Sequence, residues 1–267
     1  MVRLPGGIRP RKRLDQYFLT DDGILRREVD LAGLTRSDVV LEIGAGDGRL
    51  TGMIAERARK VIAVEKDPRL AAFLSQECPD NVDVLEGDAL DLDFPRFNKA
   101  MGNPPYSISS PLIFRLLDCA FELGVFTFQY EFARRMVAEP GTDDYSRLSV
   151  MLALTTRRIS MEMTVPRRAF SPVPKVDSAV VVLVPSDAPR PDAVSAHVIR
   201  MLFCHKRKTL ANAVKDSDGE LRRVLGISSS EVLQAIQTDW RTRVYQMTPE
   251  RIIALAREFK GLMPGRA

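Results

Sequence analysis

A short apolar segment followed by three closely spaced glycines constrains the fold of this chain more than any other feature. The segment Val39–Ile43 is almost entirely apolar, as expected for a buried strand of a parallel sheet. Gly44, Gly46 and Gly48 follow it, and Arg49–Ala58 then has a helical pattern. A strand, a glycine-rich turn and a helix are typical of the first β-α unit of a nucleotide-binding sheet. The sequence therefore predicts an α/β fold with a ligand site at this turn.

Acidic residues stand where the next two predicted strands end. The strand Val61–Val64 is followed by Glu65, and the strand Val82–Glu86 is followed by a turn that contains Asp88. Ligands in open α/β sheets bind at the carboxyl ends of the strands, where an acid can accept hydrogen bonds from ribose hydroxyls. Asp88 can likewise accept a hydrogen bond from an adenine amino group. This pattern selects five candidate cofactor-binding residues: Gly44, Gly46, Glu65, Asp88 and Ala89.

The tetrapeptide Asn103-Pro104-Pro105-Tyr106 predicts a stiff loop that can hold an exocyclic amine. Two prolines restrict their own φ angles and the residue before each of them. The side-chain oxygen of Asn103 and the carbonyl of Pro104 are both acceptors, and an –NH2 group carries two N–H donors. Tyr106 offers a flat face on which a planar base can stack. The same residues are common in ordinary strand-to-helix turns, so the functional interpretation depends on the surrounding motifs.

Together these features favour one nucleoside cofactor. Arg49 occupies the place of the third glycine in G-x-G-x-x-G, which weakens the case for a nicotinamide dehydrogenase. No phosphate-binding lysine follows the glycines, which argues against a P-loop. A ribose acid, an adenine acid and an amine-binding loop suit S-adenosylmethionine, whose sulfonium supplies the reactive chemistry.

Six segments of the chain resemble the motifs of the small-subunit ribosomal RNA adenine N6,N6-dimethyltransferase family. They comprise an N-terminal motif, the glycine loop, the catalytic loop, a strand-helix junction, a late loop and a C-terminal motif. In this order they are Arg11–Leu19, Leu41–Gly46, Asn103–Pro111, Gln129–Arg135, Phe170–Ala179 and Lys206–Leu210. The resemblance covers nearly the whole chain and is closer to the archaeal and eukaryotic branch than to the bacterial one. The Pro-Lys-Val-Asp-Ser sequence of the late loop is its most specific part.

The resemblance implies a Rossmann-like S-adenosylmethionine-dependent methyltransferase core, with a seven-stranded, mostly parallel sheet and one antiparallel edge strand. It also implies a set of residues that contact the cofactor: Tyr17, Leu19, Gly44, Glu65, Asp88 and Asn103. Gln16, in the same N-terminal motif, is a further candidate cofactor-binding residue. One residue departs from the family pattern, since Pro104 stands where the family usually has Leu or Ile. The Asn-Pro-Pro form occurs in other amino-methyltransferases, so we expect catalysis to be retained.

A proline-rich segment divides the chain into two predicted domains. Residues 185–191 contain three prolines with small and charged residues, which is typical of a linker. The predicted catalytic domain spans residues 1–185 with a basic N-terminal arm, and a small helical RNA-binding domain spans residues 186–267. In the second domain we predict one helix over Val198–Val214 and further helices that begin near Ser228 and Thr248.

Basic residues lie in clusters, although the net charge is only +4 and the isoelectric point is about 9.0. One cluster lies near the N-terminus, one at the late loop and one in the C-terminal domain. Such clusters are often solvated surface, but three of them around a catalytic loop favour an RNA partner. The candidate RNA-binding residues are Arg11, Lys12, Arg13, Lys175, Lys206, Arg207 and Lys208.

Several classes of protein are excluded by what the sequence lacks. No apolar run approaches the roughly 20 residues that span a bilayer, and no secretory signal is present, so we expect no membrane partner. Three scattered cysteines fit reduced, mostly buried thiols and a cytoplasmic location. No cysteine or histidine spacing suggests a metal site, and no long apolar stripe suggests an oligomer. We therefore expect a metal-free monomer.

The resulting hypothesis is methyl transfer from S-adenosylmethionine to the N6 amine of adenosine in RNA. Asn103 and Pro104 would hold the amine, Tyr106 would stack on the base, and Phe170 would form a second wall. The resemblance implies dimethylation of two adjacent adenosines near the 3′ end of small-subunit rRNA, with that rRNA or an immature small subunit as the partner. The alternatives are another amino-methyltransferase of this fold, acting on large-subunit rRNA, DNA or protein, and a non-catalytic ribosome-assembly factor.

Overall fold

The computed structural model describes residues 7–265, with nine strands and eleven α-helices in that range. The strands are β1 (Phe18–Leu19), β2 (Val39–Ile43), β3 (Lys60–Glu65), β4 (Val82–Glu86), β5 (Lys99–Gly102), β6 (Leu123–Gln129), β7 (Thr156–Val165), β8 (Phe170–Ser171) and β9 (Ser178–Pro185). The helices are α1 (Asp22–Ala32), α2 (Arg49–Ala55), α3 (Pro68–Glu77), α4 (Ser109–Leu117), α5 (Tyr130–Met136), α6 (Arg147–Thr155), α7 (Ala193–Cys204), α8 (Leu210–Asp216), α9 (Asp218–Leu225), α10 (Ser229–Ala235) and α11 (Pro249–Gly261).

Seven of the strands form one sheet in the order β4-β3-β2-β5-β6-β9-β7. The pairs β3–β4, β2–β3, β2–β5 and β5–β6 are parallel, which confirms the predicted seven-stranded, mostly parallel α/β sheet. The prediction that the antiparallel strand forms the edge is wrong. The antiparallel strand β9 pairs with β6 from Gly124–Leu183 to Gln129–Ser178, and β7 takes the edge.

The order of the strands places a ligand crevice beside β2. Strands β3 and β4 follow on one lateral side of β2, and the chain then crosses back so that β5 pairs with β2 on its other side. The carboxyl ends of β2 and β5 therefore flank a topological switch point, which is where open α/β sheets bind their ligands. Gly44 directly follows β2, and Asn103 directly follows β5. The two motifs that the sequence singled out thus meet at this crevice.

Helix α1 carries one carboxylate on an otherwise apolar buried face. Asp21 caps its first turn by accepting hydrogen bonds from two backbone N–H groups, and Gly33 ends it with a left-handed φ of +53°. The buried residues of the helix are Leu25, Glu28, Val29 and Ala32. Since a buried glutamate is costly without partners, the contacts of Glu28 are described with the site below.

The described residues form two compact units. The first contains the chain up to Ala133 together with Arg157–Pro185, and the second contains Arg134–Thr156 together with the chain from Ser186 onward. One boundary therefore falls at residue 185, where the proline-rich linker was predicted. Residues 134–156, however, belong to the helical unit although they precede this linker, because α6 packs against α7 and α11. Periodicity within a segment does not reveal such a long-range packing partner.

A small second sheet joins the N-terminal motif to the late loop. Strands β1 and β8 are antiparallel, with Phe18 opposite Ser171 and Leu19 opposite Phe170. The sequence predicted only a loop at Phe170, because a two-residue strand has no periodicity. This pairing brings the N-terminal motif to the first unit's main sheet.

The C-terminal basic cluster lies between two helices rather than inside one. The single helix predicted over Val198–Val214 is wrong, since α7 ends at Cys204 and α8 begins at Leu210. Thr209 caps α8 by accepting a hydrogen bond from Asn212 N, so a new helix starts there. The basic side chains therefore project from a turn.

Two other helix boundaries differ from the prediction. The helix predicted to reach Ala58 ends at Ala55. The apolar pattern of Leu112–Leu123 also predicts one helix, but the helix in this region, α4, spans Ser109–Leu117. Leu123 instead begins β6, where it pairs with Lys99 of β5. A short apolar run cannot be assigned to helix or strand from its periodicity alone, so the strand partner decides.

None of the helices within residues 7–265 has the length and apolar character needed to cross a bilayer. The three cysteines form no disulfide, and Cys204 is exposed while Cys78 and Cys119 are half-buried. The expectation of mostly buried thiols is therefore wrong.

Candidate active site

The first unit contains a cleft at the carboxyl ends of its central strands. All twelve residues predicted to bind cofactor or to act in catalysis line this cleft. They are Gln16, Tyr17, Leu19, Gly44, Gly46, Glu65, Asp88, Ala89, Asn103, Pro104, Tyr106 and Phe170. The sequence therefore selected residues that the fold brings together, although the roles assigned to them remain predictions.

Glycines allow the turn after β2 and the loop after β5 to approach each other closely. Gly44 has a φ of +76°, and a Cβ there would lie 3.5 Å from Pro104 Cα. Gly102, the last residue of β5, has a φ of +148°, and a Cβ there would lie 2.3 Å from the carbonyl oxygen of Ile43. Only glycine fits at residue 102. The positions of the glycine turn and of Asn103 are therefore coupled through the backbone.

Glu65 is buried at the end of β3 and binds two loop backbones. Its Oε2 accepts a hydrogen bond from Gly46 N at 2.9 Å, and its Oε1 accepts one from Asp67 N at 2.7 Å. Burial raises the pKa of the carboxyl, and the two backbone N–H groups partly offset that effect. Each oxygen keeps a second lone pair. This carboxylate holds the glycine turn in place and can still accept hydrogen bonds from a ligand.

Asp88, in contrast, is paired with a lysine that sequence reasoning missed. Lys66 Nζ donates to Asp88 Oδ2, and Leu90 N donates to Asp88 Oδ1 at 3.0 Å. The bond from Lys66 is the main reason that the pKa of Asp88 lies below its usual value. Asp88 is therefore an ionised acceptor at the cleft. Lys66 follows Glu65 directly, so its place after β3 was the available signal.

The N-terminal motif is attached to the cleft through Asp67, whose surface is 0% exposed. Gln16 Nε2 donates to Asp67 Oδ2 at 3.2 Å, while Gln16 Oε1 accepts from Arg11 N at 2.7 Å. Arg69 also donates to Asp67, and this bond is the main reason that the pKa of Asp67 is lowered to about 2. A carboxylate that stays ionised thus fixes the predicted cofactor motif at the cleft.

The side chain of Asn103 is hydrogen-bonded on one side only. Its Nδ2 donates to Glu28 Oε2 at 3.4 Å, whereas its Oδ1 is buried and has no hydrogen-bond partner among the described residues. Glu28 also accepts a hydrogen bond from the Thr127 hydroxyl. Burial, only partly offset by these two bonds, raises the pKa of Glu28 to about 7. The signal for Glu28 was a glutamate at an apolar position of a helix.

Two aromatic rings lie together at the catalytic loop. Tyr106 stacks on Tyr17 with ring centroids 5.6 Å apart, and its hydroxyl lies 2.7 Å from Ser178 Oγ. Burial raises the pKa of Tyr106 to about 12, so this phenol stays neutral. Phe170 is 3% exposed and lies on another part of the cleft wall. The lining of the cleft therefore combines aromatic rings with the side chain of Asn103.

The predicted RNA-binding residues of the first unit differ in their surroundings. Arg13 is exposed and lines the cleft, and Lys175 is exposed in the late loop. Arg11 forms an ion pair with Asp67 at 3.7 Å, which ties it to the N-terminal motif. The side chain of Lys12 lies outside the described part of the structure.

In the second unit, the three predicted RNA-binding residues are not equivalent. Lys206 Nζ donates to the carbonyl oxygens of Asp143 at 2.8 Å and Tyr145 at 3.0 Å, which is a structural role. Arg207 is exposed, with a long ion pair to Asp143 of 3.3 Å. Lys208 pairs with an exposed carboxylate, Asp216, at 2.5 Å. Arg207 and Lys208 can exchange these solvated partners for phosphates at low cost.

The sheet order, the glycine turn and the Asn-Pro-Pro-Tyr loop place the chain in the class of Rossmann-like methyltransferases. No group of acidic, histidine or cysteine side chains suited to hold a metal ion occurs among residues 7–265. The chain belongs to the ribosomal RNA adenine dimethylase family, whose model matches residues 7–246. The predicted family and enzyme class are thereby confirmed.

Relatives in sequence and in structure support this membership. A probable ribosomal RNA small subunit methyltransferase A from Thermococcus onnurineus is 45% identical over 252 residues, covering 92% of this chain and 91% of the relative. Its counterpart from Methanothermobacter thermautotrophicus is 45% identical over 258 residues, covering 96% and 93%. A dimethyladenosine transferase from Plasmodium falciparum has a TM-score of 0.78 at 31% identity, covering 92% of this chain and 99% of that chain. The 23S rRNA methyltransferase ErmE has a TM-score of 0.64 at 29% identity, covering 91% and 99%.

Proposed function

We propose that this protein transfers methyl groups from S-adenosylmethionine to the N6 amines of two adjacent adenosines in small-subunit ribosomal RNA. The observation that carries the proposal is the buried Asn103 Oδ1, which has no hydrogen-bond partner within residues 7–265 although Asn103 lines the cleft. A buried acceptor without a hydrogen bond is costly. A substrate N–H group supplies the missing donor.

The residues of the cleft fit the proposed cofactor. Glu65 and Asp88 offer acceptors for ribose hydroxyls and for an adenine amino group, and the glycine turn leaves room for close approach. Gln16, Tyr17 and Leu19 would cover the cofactor from the N-terminal motif. When bound, S-adenosylmethionine supplies an electrophilic methyl group.

The catalytic loop would orient the amine of a flipped-out adenine. A paired adenine hides N6, so the base must leave its helix. Asn103 Oδ1 and the Pro104 carbonyl accept the two N–H bonds and direct the nitrogen lone pair into the cleft. Tyr106 stacks on the base, and Phe170 closes the wall. The two acceptors also stabilise the positive charge that grows on nitrogen.

No general base is needed in this scheme. The amine attacks while it is neutral, and the resulting cation is acidic enough to lose its proton to water. Catalysis then rests on placing two reactants, which contributes up to roughly 7–11 kcal/mol in favourable cases. This agrees with the two groups proposed to hold the amine, Asn103 Oδ1 and the Pro104 carbonyl, which are acceptors rather than a nucleophile-base pair.

The names of the relatives favour the small subunit as the substrate. The two sequence relatives are named for small-subunit rRNA, whereas the 23S enzyme is the less similar of the two structures by TM-score. Exposed basic residues such as Arg13, Lys175 and Arg207 would contact the RNA backbone. The partner would be an immature small subunit in the cytoplasm.

Mass spectrometry of rRNA after incubation with the donor tests the proposal. Immature small subunits, large subunits, naked DNA and total protein are offered separately. We expect dimethyladenosine only in small-subunit rRNA, and far less of it with Asn103→Ala. Methylation of large-subunit rRNA, DNA or protein instead would contradict the proposed substrate. Binding to small subunits without methylation would favour the assembly-factor alternative.

A further inference from the structure

One buried carboxylate contacts the catalytic loop from behind the cleft. Glu28 is 1% exposed and is not among the described residues that line the cleft. Its Oε1 accepts from the Thr127 hydroxyl, and its Oε2 accepts from Asn103 Nδ2. Asn103 Oδ1, on the other side of the amide, has no partner among the described residues. Glu28 therefore contacts the half of the amide that a substrate amine would not use.

The charge of Glu28 decides which way this amide can point. An ionised carboxylate has only acceptors, so the NH2 group of Asn103 must face it and Oδ1 must face away. A protonated carboxyl has an O–H donor, which can pair with Oδ1 and allow the amide to turn over. The turned amide would present N–H donors where an amine needs an acceptor.

We propose that Glu28 is a positioning residue for methyl transfer, because its carboxylate holds the Asn103 amide with Oδ1 directed at the substrate amine. Thr127 fixes the carboxylate from β6 and leaves one oxygen for Asn103. This inference rests on the proposed function, in which Oδ1 accepts from the amine. Glu28 itself does not touch the substrate.

The groups around Glu28 leave its charge sensitive to pH. β6 has no titratable side chain, and the carboxyl that interacts with Glu28 from β2 is Glu42, also buried. From α2, Arg49 is paired with Asp22 at an exposed position on α1. Since burial raises the pKa of Glu28 to about 7, the amide should be held fully only above neutral pH.

A test that needs no activity follows the Asn103 side-chain amide by NMR. Its signals are assigned by their loss in Asn103→Ala. In the wild-type protein we expect them to shift with a midpoint near pH 7, and in Glu28→Gln we expect no such shift. Signals that do not titrate in the wild-type protein would overturn the coupling. This result stands whether or not the protein methylates rRNA.

The pH profile of methyl transfer to immature small subunits is the second test. With a pKa of about 7, the wild-type rate at pH 6 should be about one tenth of the rate at pH 8. Glu28→Gln keeps an acceptor at every pH, so its two rates should be nearly equal. Glu28→Leu has no acceptor, and its kcat should fall roughly 10–100-fold at both pH values.

A pair of threonine variants separates positioning from general stability. The Thr127 hydroxyl lowers the pKa of Glu28, so Thr127→Val should move the midpoint of the pH profile upward. Thr155→Val removes another buried hydroxyl, which donates to the Met151 carbonyl in α6, and should leave the midpoint unchanged. If the methyl-transfer rate of Glu28→Gln still fell tenfold from pH 8 to pH 6, the role of Glu28 would be refuted. Equal midpoints of the pH profile for the two threonine variants would also refute it. A wild-type protein that methylates no rRNA while the NMR signals titrate would instead refute the proposed function.

Discussion

Two buried glutamates of the first unit and two paired aspartates of the second unit have opposite surroundings and opposite pKa shifts. In the first unit, burial is the main reason that the pKa values of Glu28 and Glu42 rise to about 7 and about 8. In the second unit, Asp192 and Asp218 pair with Lys260 and Arg222, and these bonds are the main reason that their pKa values fall to about 2. Burial therefore disfavours the ionised form of Glu28 and Glu42, whereas a paired cation favours the ionised form of Asp192 and Asp218.

The direction of the pKa shift therefore distinguishes the buried carboxyls near the cleft, Glu28 and Glu42, from the ion-paired surface carboxylates Asp192 and Asp218. A buried carboxyl without a cation destabilises the folded state as it ionises, so its persistence at a cleft points to function. Exposed ion pairs contribute little to stability and are easily exchanged. In the first unit, the carboxyls that destabilise the fold when they ionise thus lie close to where the ligands are expected to bind.

The largest expected effect is that of Asn103→Ala on methyl transfer. Removing the unpartnered acceptor should lower turnover by roughly 10²–10³-fold, because the charge on the amine is no longer stabilised. Asn212→Ala, an exposed helical asparagine of the second unit, is the matched control and should keep full activity. Single-turnover assays with immature small subunits measure both. A wild-type rate in Asn103→Ala would contradict the role of Asn103 in methyl transfer, because the first-unit asparagine would then behave like the second-unit control.

The next effect concerns stability and its dependence on pH. Glu42 titrates near 4.5 when unfolded and near 8 when folded, so stability is full below pH 4.5 and is lost as the pH rises toward 8. Glu42→Gln cannot ionise. The free energy of unfolding of Glu42→Gln, relative to that of the wild-type protein, should increase by on the order of 3 kcal/mol from pH 5 to pH 8. Urea unfolding without ligand at the two pH values measures this gain.

Glu231→Gln is the control for that experiment. The pKa of Glu231 is lowered, mainly by its hydrogen bond with Ser228, so its contribution to stability changes only below pH 4.5. We therefore expect the effect of Glu231→Gln on the free energy of unfolding to be the same at pH 5 and at pH 8. If both variants responded alike to pH, the contrast between buried and exposed carboxyls would not govern stability.

A smaller effect is expected for donor binding at Glu65. Glu65→Gln replaces one acceptor oxygen with an NH2 group that faces a backbone N–H, and we expect donor affinity to fall by about tenfold. Glu86 stands opposite Glu65 in the sheet register but is exposed, and Glu86→Gln should bind the donor normally. Titration calorimetry with S-adenosylmethionine compares them. Equal affinities would contradict the role of Glu65.

The smallest effect is expected on the surface of the second unit. Arg207→Ala should weaken RNA binding by only a few-fold and lower the salt slope by about 1, as for the loss of one phosphate contact. Its melting temperature should not change, because its ion pair is exposed. Lys206→Ala should lower the melting temperature, because two carbonyls lose their donor. If Lys206→Ala weakened RNA binding and Arg207→Ala lowered the melting temperature, Lys206 would be the RNA-binding residue and Arg207 the structural one.

The strand-turn-helix pattern and the proline loop were sufficient to predict where the site lies. Buried parallel strands are continuous apolar segments, and glycine turns are required at their ends, so Gly44, Glu65 and Asn103 could be placed on one sheet edge. The same local reasoning joined α7 and α8 into one helix. Periodicity does not report a break that a capping threonine introduces.

The sequence by itself determined the α/β class from local patterns of glycine, proline and apolar residues, and it determined the family from six motifs. Together these selected twelve of the residues that line the cleft. Only the tertiary structure decided which polar atoms remain without partners. Glu28 and Thr127 are 99 positions apart, and each is an ordinary residue of its own element. Their hydrogen bond exists because α1 packs against β6, and burial then turns an ordinary glutamate into a group that titrates near neutral pH.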